Sequence, residues 1–114
     1  MIRHIVVFRF GDEASNVDRS SLIDELRRLP DRFPAMRSFS LGVNESRRDQ
    51  RYSHGFTVEF ADFDELDAYL NSDEHERFVS ERFAPLVAER AIVSFAEAEA
   101  EAEAEAEGDR TPRR

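Results

Sequence analysis

Apolar and polar residues alternate along several short stretches of the chain, and between these stretches apolar residues recur every three or four positions. The first alternating stretch, IRHIVVFRF at residues 2–10, is rich in β-branched and aromatic residues and predicts a strand. Successive side chains of a strand point to opposite faces, so His4, Val6 and Phe8 share one face while Ile5 and Val7 share the other. Both faces are apolar, which predicts that both are covered.

A helix is predicted after this strand. Ser15 is followed three residues later by Asp18, and a serine followed at that spacing by an acid can cap the free amides of a helix start. Apolar residues then recur at helical spacing at Leu22, Leu26, Leu29 and Phe33. Pro30 disfavours helix at the residue before it, so we expect the helix to end near residue 29.

Two further alternating stretches predict an antiparallel hairpin with one face buried and one exposed. Residues 37–44 place Phe39, Leu41 and Val43 inward. Residues 52–60 follow a polar loop, and their inward positions are Tyr52, His54, Phe56, Val58 and Phe60.

The remaining elements are two helices and a strand. Asp62 can cap a helix with sequence FDELDAYL, whose predicted buried residues are Phe63, Leu66 and Leu70. Ser72 can cap a third helix, which Pro85 interrupts, and residues 91–95 predict a final strand.

The order of elements predicts an α+β fold. Strand, helix, strand, strand, helix pair and strand form two split βαβ units, which gives a ferredoxin-like four-stranded antiparallel sheet with helices on one face. The other face carries Ile5, Val7, Val93 and Phe95 and needs cover. A second copy would supply it, so we expect a homodimer that forms a dimeric α/β barrel.

The domain is predicted to span residues 1–95, followed by an acidic tail at 96–114. Residues 96–107 are Ala-Glu repeats, in which a helix would place like charges four residues apart and a strand would use two poor strand formers. We therefore predict that this tail is disordered.

Composition excludes several classes of function. The 114 residues carry a net charge of −9, without the basic surface that nucleic acids require. All 16 basic residues are Arg, and Cys is absent, so lysine Schiff-base and thiolate chemistry are excluded. No stretch has the length of a membrane span or the character of a signal peptide, and we expect a cytoplasmic protein without membrane contact.

The candidates for chemistry are His4, His54, His75 and Tyr69. His75 lies in the first turn of the third helix and follows Tyr69 by six residues, so both could face one cavity beside the sheet. Histidine is the natural general base near neutral pH. The structural alternative is that His4 and His54 are half-buried and bonded to backbone, and that His75 anchors the helix junction. In the same alternative, Tyr69 is a core residue with its hydroxyl at the rim. No spacing indicates a metal site, and no cofactor is predicted.

The chain resembles the stress-responsive dimeric α/β-barrel (Dabb) family over residues 2–95. The resemblance is carried by IRHIVVFRF, FPAMRSFSLGVNES, YSHGFTVEFADFDELDAYLNSDEHERF and AIVSF. It implies a ferredoxin-like protomer, a tight homodimer and often no assigned activity.

Within this family the chain is similar to the plant olivetolic acid cyclase type, which closes a polyketide ring by intramolecular aldol condensation. That similarity implies His75 as base, Tyr69 as polarising hydroxyl and His4 as a pocket wall. It also matches His54 to a strand histidine of the pocket, and Ser94 stands where the family often has an acid. The implied apolar lining is Val6, Phe8, Phe56, Leu70 and Phe78.

Three functions remain open at this point. The first is a stress-related dimeric barrel that binds a small apolar or polyketide-like molecule without catalysis. The second is a lyase or cyclase of the intramolecular aldol type that uses Tyr69 and His75. The third is a cofactor-free or haem-linked monooxygenase of the wider dimeric α+β barrel group.

Overall fold

The computed structural model describes residues 1–96, in which four antiparallel strands form one sheet in the order β2-β3-β1-β4. In chain order the elements are β1 (Ile2–Phe10), α1 (Asn16–Arg27), α2 (Leu29–Arg32), β2 (Arg37–Val43), β3 (His54–Phe60), α3 (Phe63–Leu70), α4 (Asp73–Phe78), a π-helical turn (Val79–Phe83) and β4 (Val87–Ala96). The two central strands are β1 and β3, and the helices pack on one face. The predicted ferredoxin-like α+β fold is confirmed.

Side-chain caps begin the three principal helices, as the sequence predicts. The Ser15 hydroxyl accepts a hydrogen bond from the Asp18 amide at 3.0 Å, and the Asp62 carboxylate accepts one from the Glu65 amide at 2.9 Å. The Ser72 side chain caps α4 in the same way. Each bond satisfies a free amide of the first helical turn and fixes where the helix starts.

The strands differ from the prediction at their ends. β4 begins at Val87 rather than residue 91, because it pairs with β1 along almost its whole length, from Ala96 opposite Ile2 to Val87 opposite Phe10. The predicted tail therefore overlaps the fold by one residue, Ala96, and its remainder lies outside the described residues.

Two residues predicted to be buried are exposed. Val43 is 66% exposed because it ends β2, an edge strand that pairs on one side only. Phe63 is 52% exposed because it is the first residue of α3, directly after the cap, and does not reach the sheet. The buried residues of this helix are Leu66 and Tyr69, which agrees with the alternative that Tyr69 is a core residue.

The core lies between the helices and the sheet. Its fully buried side chains are Phe8, Leu22, Leu26, Leu29, Val58 and Phe60. In β1 every second residue from Ile2 to Phe10 is buried on this side. No helix within residues 1–96 is long and apolar enough to cross a membrane.

The opposite face of the sheet, which we call the open face, carries Ile5, Val7, Val93 and Phe95. Val93 lies directly across the strand pair from Ile5, and both Val93 and Phe95 are large apolar side chains exposed to solvent. An ion pair between Arg3 and Glu59, 2.8 Å apart, borders this apolar strip. An exposed apolar strip of this kind marks an interaction surface.

Candidate functional site

A cavity of about 100 Å³ lies between the helices and the sheet. The strands supply His4, Val6, Phe56, Arg90 and Ile92 to its wall. The helices and the π-helical turn supply Leu26, Leu29, Tyr69, Leu70, His75, Phe78, Val79 and Phe83. Most of this wall is apolar, and its polar groups are two histidines, one tyrosine and one arginine. The π-helical turn contributes two of the residues, and such turns frequently occur at functional sites.

Ser72 fixes the junction between α3 and α4 and thereby the position of His75. Its hydroxyl donates to the Tyr69 carbonyl at 2.8 Å and accepts from the His75 amide at 3.1 Å. The last turn of α3 and the first turn of α4 are therefore held together by one side chain. As a result, the Tyr69 and His75 rings meet edge to face, with centroids 4.5 Å apart.

The protonation state of His75 follows from its partner. Its Nδ1 atom lies 3.2 Å from the Leu70 carbonyl oxygen, and since a carbonyl can only accept, Nδ1 carries the proton. The Nε2 atom of the neutral ring then holds a free lone pair. Burial lowers the pKa of His75 below its usual value, outweighing the Leu70 hydrogen bond and the Glu76 charge that raise it. His75 is therefore neutral at pH 7 and can take up a proton at Nε2.

Tyr69 combines a buried ring with a hydroxyl that has no partner. The ring packs against Phe33 and Phe60, at centroid distances of 4.8 and 5.4 Å. Within residues 1–96 the Tyr69 hydroxyl forms no hydrogen bond. Every side-chain nitrogen or oxygen that is fully buried within these residues has a hydrogen-bond partner. The Tyr69 hydroxyl is therefore not fully buried and reaches space that water can enter. The cavity that Tyr69 lines provides that space. Burial raises the pKa of Tyr69, which keeps the hydroxyl protonated and able to donate.

His4 forms part of the cavity wall on the sheet side. It is only 2% exposed, and its Nδ1 atom lies 2.7 Å from the Ser94 hydroxyl on the neighbouring strand β4. Burial lowers its pKa first, and the proximity of His75 lowers it further, so His4 is also neutral at pH 7. Ser94 thus binds His4, whereas a backbone carbonyl orients His75.

The structure brings seven of the nine sequence-predicted site residues to this cavity. These are His4, Val6, Phe56, Tyr69, Leu70, His75 and Phe78. Phe8 and His54 lie elsewhere, because the aromatic rings of Phe10 and Phe83 cover that end of the sheet. His54 stacks on Phe8 at 5.4 Å and bonds to the Ser53 hydroxyl at 2.8 Å. Phe8 is therefore part of the core beside the cavity, and His54 is a half-buried residue that packs against it.

Sequence reasoning missed Arg90 as a wall residue. The predicted final strand began one residue later, so the alternation of Arg90, Ile92 and Ser94 was not followed back to its start. In the observed register these three residues lie opposite Phe8, Val6 and His4, on the helix-covered face. Extending the alternation two positions back from Ile92 would have placed Arg90 on the helix-covered face of the sheet.

Comparison with known proteins supports the fold. A Dabb family protein from Mesorhizobium loti with a ferredoxin-like fold superposes with a TM-score of 0.76 at 22% identity, covering 86% of this chain and 97% of that chain. A dimeric ferredoxin-like protein of unknown function from Thermobifida fusca gives 0.71 at 26% identity, covering 84% and 90%. A hydroxynitrile lyase from Passiflora edulis gives 0.78 at 20% identity, covering 86% and 94%.

No match was found among proteins with curated functions. The model of the stress-responsive A/B barrel domain, Dabb, matches residues 2–97, which include every described strand and helix. The chain therefore belongs to the Dabb family of stress-responsive A/B barrel domains.

Proposed function

We propose that the protein binds a small carbonyl compound in the cavity and catalyses aldol-type carbon–carbon chemistry, as a lyase or a cyclase. His75 acts as general base, and Tyr69 donates a hydrogen bond to the oxygen that gains charge. One observation carries this proposal. The bond from His75 Nδ1 to the Leu70 carbonyl leaves Nε2 with a free lone pair, and His75 lines the same cavity as Tyr69, whose hydroxyl forms no hydrogen bond within residues 1–96.

The proposed reaction uses the two groups in sequence. His75 Nε2 takes a proton from the carbon next to the substrate carbonyl, and the electron pair of that bond moves onto the carbonyl oxygen as an enolate. The Tyr69 hydroxyl stabilises this oxygen by a hydrogen bond, which is strong in an apolar, water-poor site. The enolate carbon then attacks a second carbonyl, and the His75 imidazolium returns the proton to the new alkoxide. The reverse sequence cleaves the same bond.

The size of the cavity indicates the size of the substrate. An apolar cavity of about 150 Å³ is enough to hold benzene. The cavity here, about 100 Å³, therefore fits a compact carbonyl compound better than an extended polyketide chain. The similarity to the olivetolic acid cyclase type supports the kind of chemistry rather than a long substrate.

Binding without catalysis is the second candidate function. Within residues 1–96 no group of three or more His, Cys, Asp or Glu side chains could hold a metal ion. The hydroxynitrile lyase has the same fold, but a shared fold does not assign an activity.

Exchange of carbon-bound protons tests the base directly, without knowledge of the natural substrate. Acetone, butanone and cyclopentanone are incubated with the protein in D2O, and loss of the proton signal next to the carbonyl is followed by NMR. We expect His75→Ala to slow the catalysed exchange by roughly 10²- to 10⁴-fold. His54→Ala serves as the control, because it removes a half-buried histidine outside the cavity and should retain the exchange. No exchange by the wild type, or full exchange by His75→Ala, would contradict the proposal.

We further propose that a second copy of the chain covers the open face and completes a barrel. Val93 and Phe95 are 52% and 43% exposed in the single chain, and burying them against a copy would remove apolar surface from water. Structural neighbours from Thermobifida fusca, Bacteroides fragilis and Jannaschia are described as dimeric ferredoxin-like proteins, which supports this assembly.

A further inference from the structure

Arg90 reaches the cavity from solvent and has no partner in the described part of the chain. Its side chain is exposed and lines the cavity, and it forms no hydrogen bond or ion pair with any other residue of 1–96. The adjacent residue, Glu89, points to the opposite face of β4. Its carboxylate forms ion pairs with Arg9 and Arg51, at 3.2 and 2.7 Å. The nearest carboxylate in sequence is therefore unavailable to Arg90.

Among residues 1–96 the cavity wall contains no group that neutralises this charge. None of the described wall residues is Asp or Glu, and the two histidines of the wall are neutral at pH 7. An arginine guanidinium is positively charged in proteins. Among the described residues of the wall, Arg90 is thus the one charged group beside an apolar cavity, in a protein whose net charge is −9.

We propose that Arg90 binds the carboxylate of an anionic ligand whose apolar part enters the cavity. The inference rests on the proposed function and narrows its substrate class to compact carboxylic acids that carry a second carbonyl group, such as short-chain oxo acids. A planar guanidinium can bind both oxygens of a carboxylate through two parallel hydrogen bonds, which fixes the orientation of the ligand as well as its charge.

The placement of Arg90 relative to His75 suits this role. Arg90 and Ser94, the partner of His4, lie on the same face of β4, and four residues of strand separate them by about 13 Å. His75 lies within the electrostatic reach of both His4 and Arg90. A carboxylate held at Arg90 would therefore direct the rest of a short ligand past His75 towards the His4 end of the cavity.

Paired titrations test the proposal. Butyrate and 3-oxobutyrate are each compared with the corresponding neutral amide, with binding followed by the NMR shifts of backbone amides around Tyr69, His75 and Ile92. We expect each carboxylate to bind the wild type about tenfold more tightly than its amide, the size of effect that one hydrogen-bonded charge provides. Arg90→Gln should remove this preference and leave the affinity for the amides within about twofold.

Arg77→Gln is the matched control. Arg77 lies on α4, is exposed, does not line the cavity and likewise forms no ion pair among the described residues, so its replacement changes the net charge equally. This variant should keep the preference for carboxylates. If both variants lost the preference for carboxylates, the preference would depend on the net charge of the protein rather than on Arg90, and the proposal would be overturned.

Two other outcomes would also overturn it. One is equal affinity of wild type and Arg90→Gln for the carboxylates, and the other is no binding of any carboxylate to the wild type at about 10 mM. Either result leaves the exchange of protons on neutral ketones unaffected. A failure of the Arg90 assignment is therefore distinguishable from a failure of the His75 and Tyr69 mechanism.

Discussion

Tyr69→Phe removes one oxygen atom, and we expect this change to slow catalysis by roughly 10²- to 10³-fold while leaving the fold intact. The ring contacts with Phe33, Phe60 and His75 involve no hydroxyl and are retained. The hydroxyl has no hydrogen-bond partner within residues 1–96, so its removal breaks no bond of the described fold. The hydroxyl therefore remains available for the contact with the substrate oxygen proposed above.

The structure gives a magnitude for each effect. A hydrogen bond within a protein contributes about 0.5–1.5 kcal/mol to stability, and because Tyr69 has none, the free energy of unfolding should change by less than about 0.5 kcal/mol. Loss of one donor to a developing oxyanion costs roughly 10²- to 10³-fold in rate. The two effects therefore separate clearly in one variant.

Urea unfolding followed by circular dichroism, at a fixed protein concentration, measures the first effect, and proton exchange of small ketones in D2O measures the second. Tyr52→Phe is the control. The Tyr52 hydroxyl donates to Glu89 at 3.2 Å and lies outside the cavity, so its loss should lower stability by up to about 1.5 kcal/mol and leave exchange unchanged. The reasoning is refuted if Tyr69→Phe loses more than about 1.5 kcal/mol of stability, or if it exchanges protons as fast as the wild type.

Three further predictions concern the proposed dimer and the effect of pH. Val7→Glu on the open face should dissociate or unfold the protein, because a charge would be buried without a partner. Val17→Glu, at an exposed helix position, is the control and should do neither. Light scattering distinguishes a monomer from a dimer. The pKa of His75 is lowered, so its basic form and the exchange activity should persist below pH 6.5 and fall only as the pH drops through the folded value. The pKa of His4 is also lowered in the folded protein, so the unfolded chain binds more protons at this residue. The contribution of neutral His4 to the free energy of unfolding is therefore complete above about pH 6.5 and is lost as the pH falls. Urea titrations between about pH 7.5 and 5 would detect this loss. A constant free energy of unfolding over that range, or activity lost already above pH 6.5, would contradict these assignments.

Sequence reasoning located the elements because their signals are local. Each helix cap consists of a side chain and an amide three residues apart, so Ser15, Asp62 and Ser72 could be recognised without the fold. The alternation in β1 likewise identified which residues face the helices. These features depend on neighbours in the chain and are visible in a single sequence.

The limits of the cavity were not predictable, because they depend on packing between distant elements. Phe8 and His54 have the same strand face as Val6, but Phe83 of the π-helical turn packs over Phe8 and closes that end. The length of β4 was underestimated for a similar reason. Its first four residues, VAER, include the charged pair Glu89 and Arg90, and pairing with β1, rather than their own propensity, makes them a strand.

The pairing of β1 with β4 has a consequence for how the domain is made. His4 and Ser94 are separated by 90 positions, and β1, at the centre of the sheet, gains its second neighbour only from the last element of the described fold. Contacts between such distant segments form slowly, because a long loop must close before they are gained. During synthesis the ribosome holds back the C-terminal segment, so a nascent chain can fold its helices while β1 still lacks one edge partner. The cavity wall is complete only after β4 has left the ribosome and has paired with β1. A ligand of this cavity would therefore bind only chains in which β4 has joined the sheet.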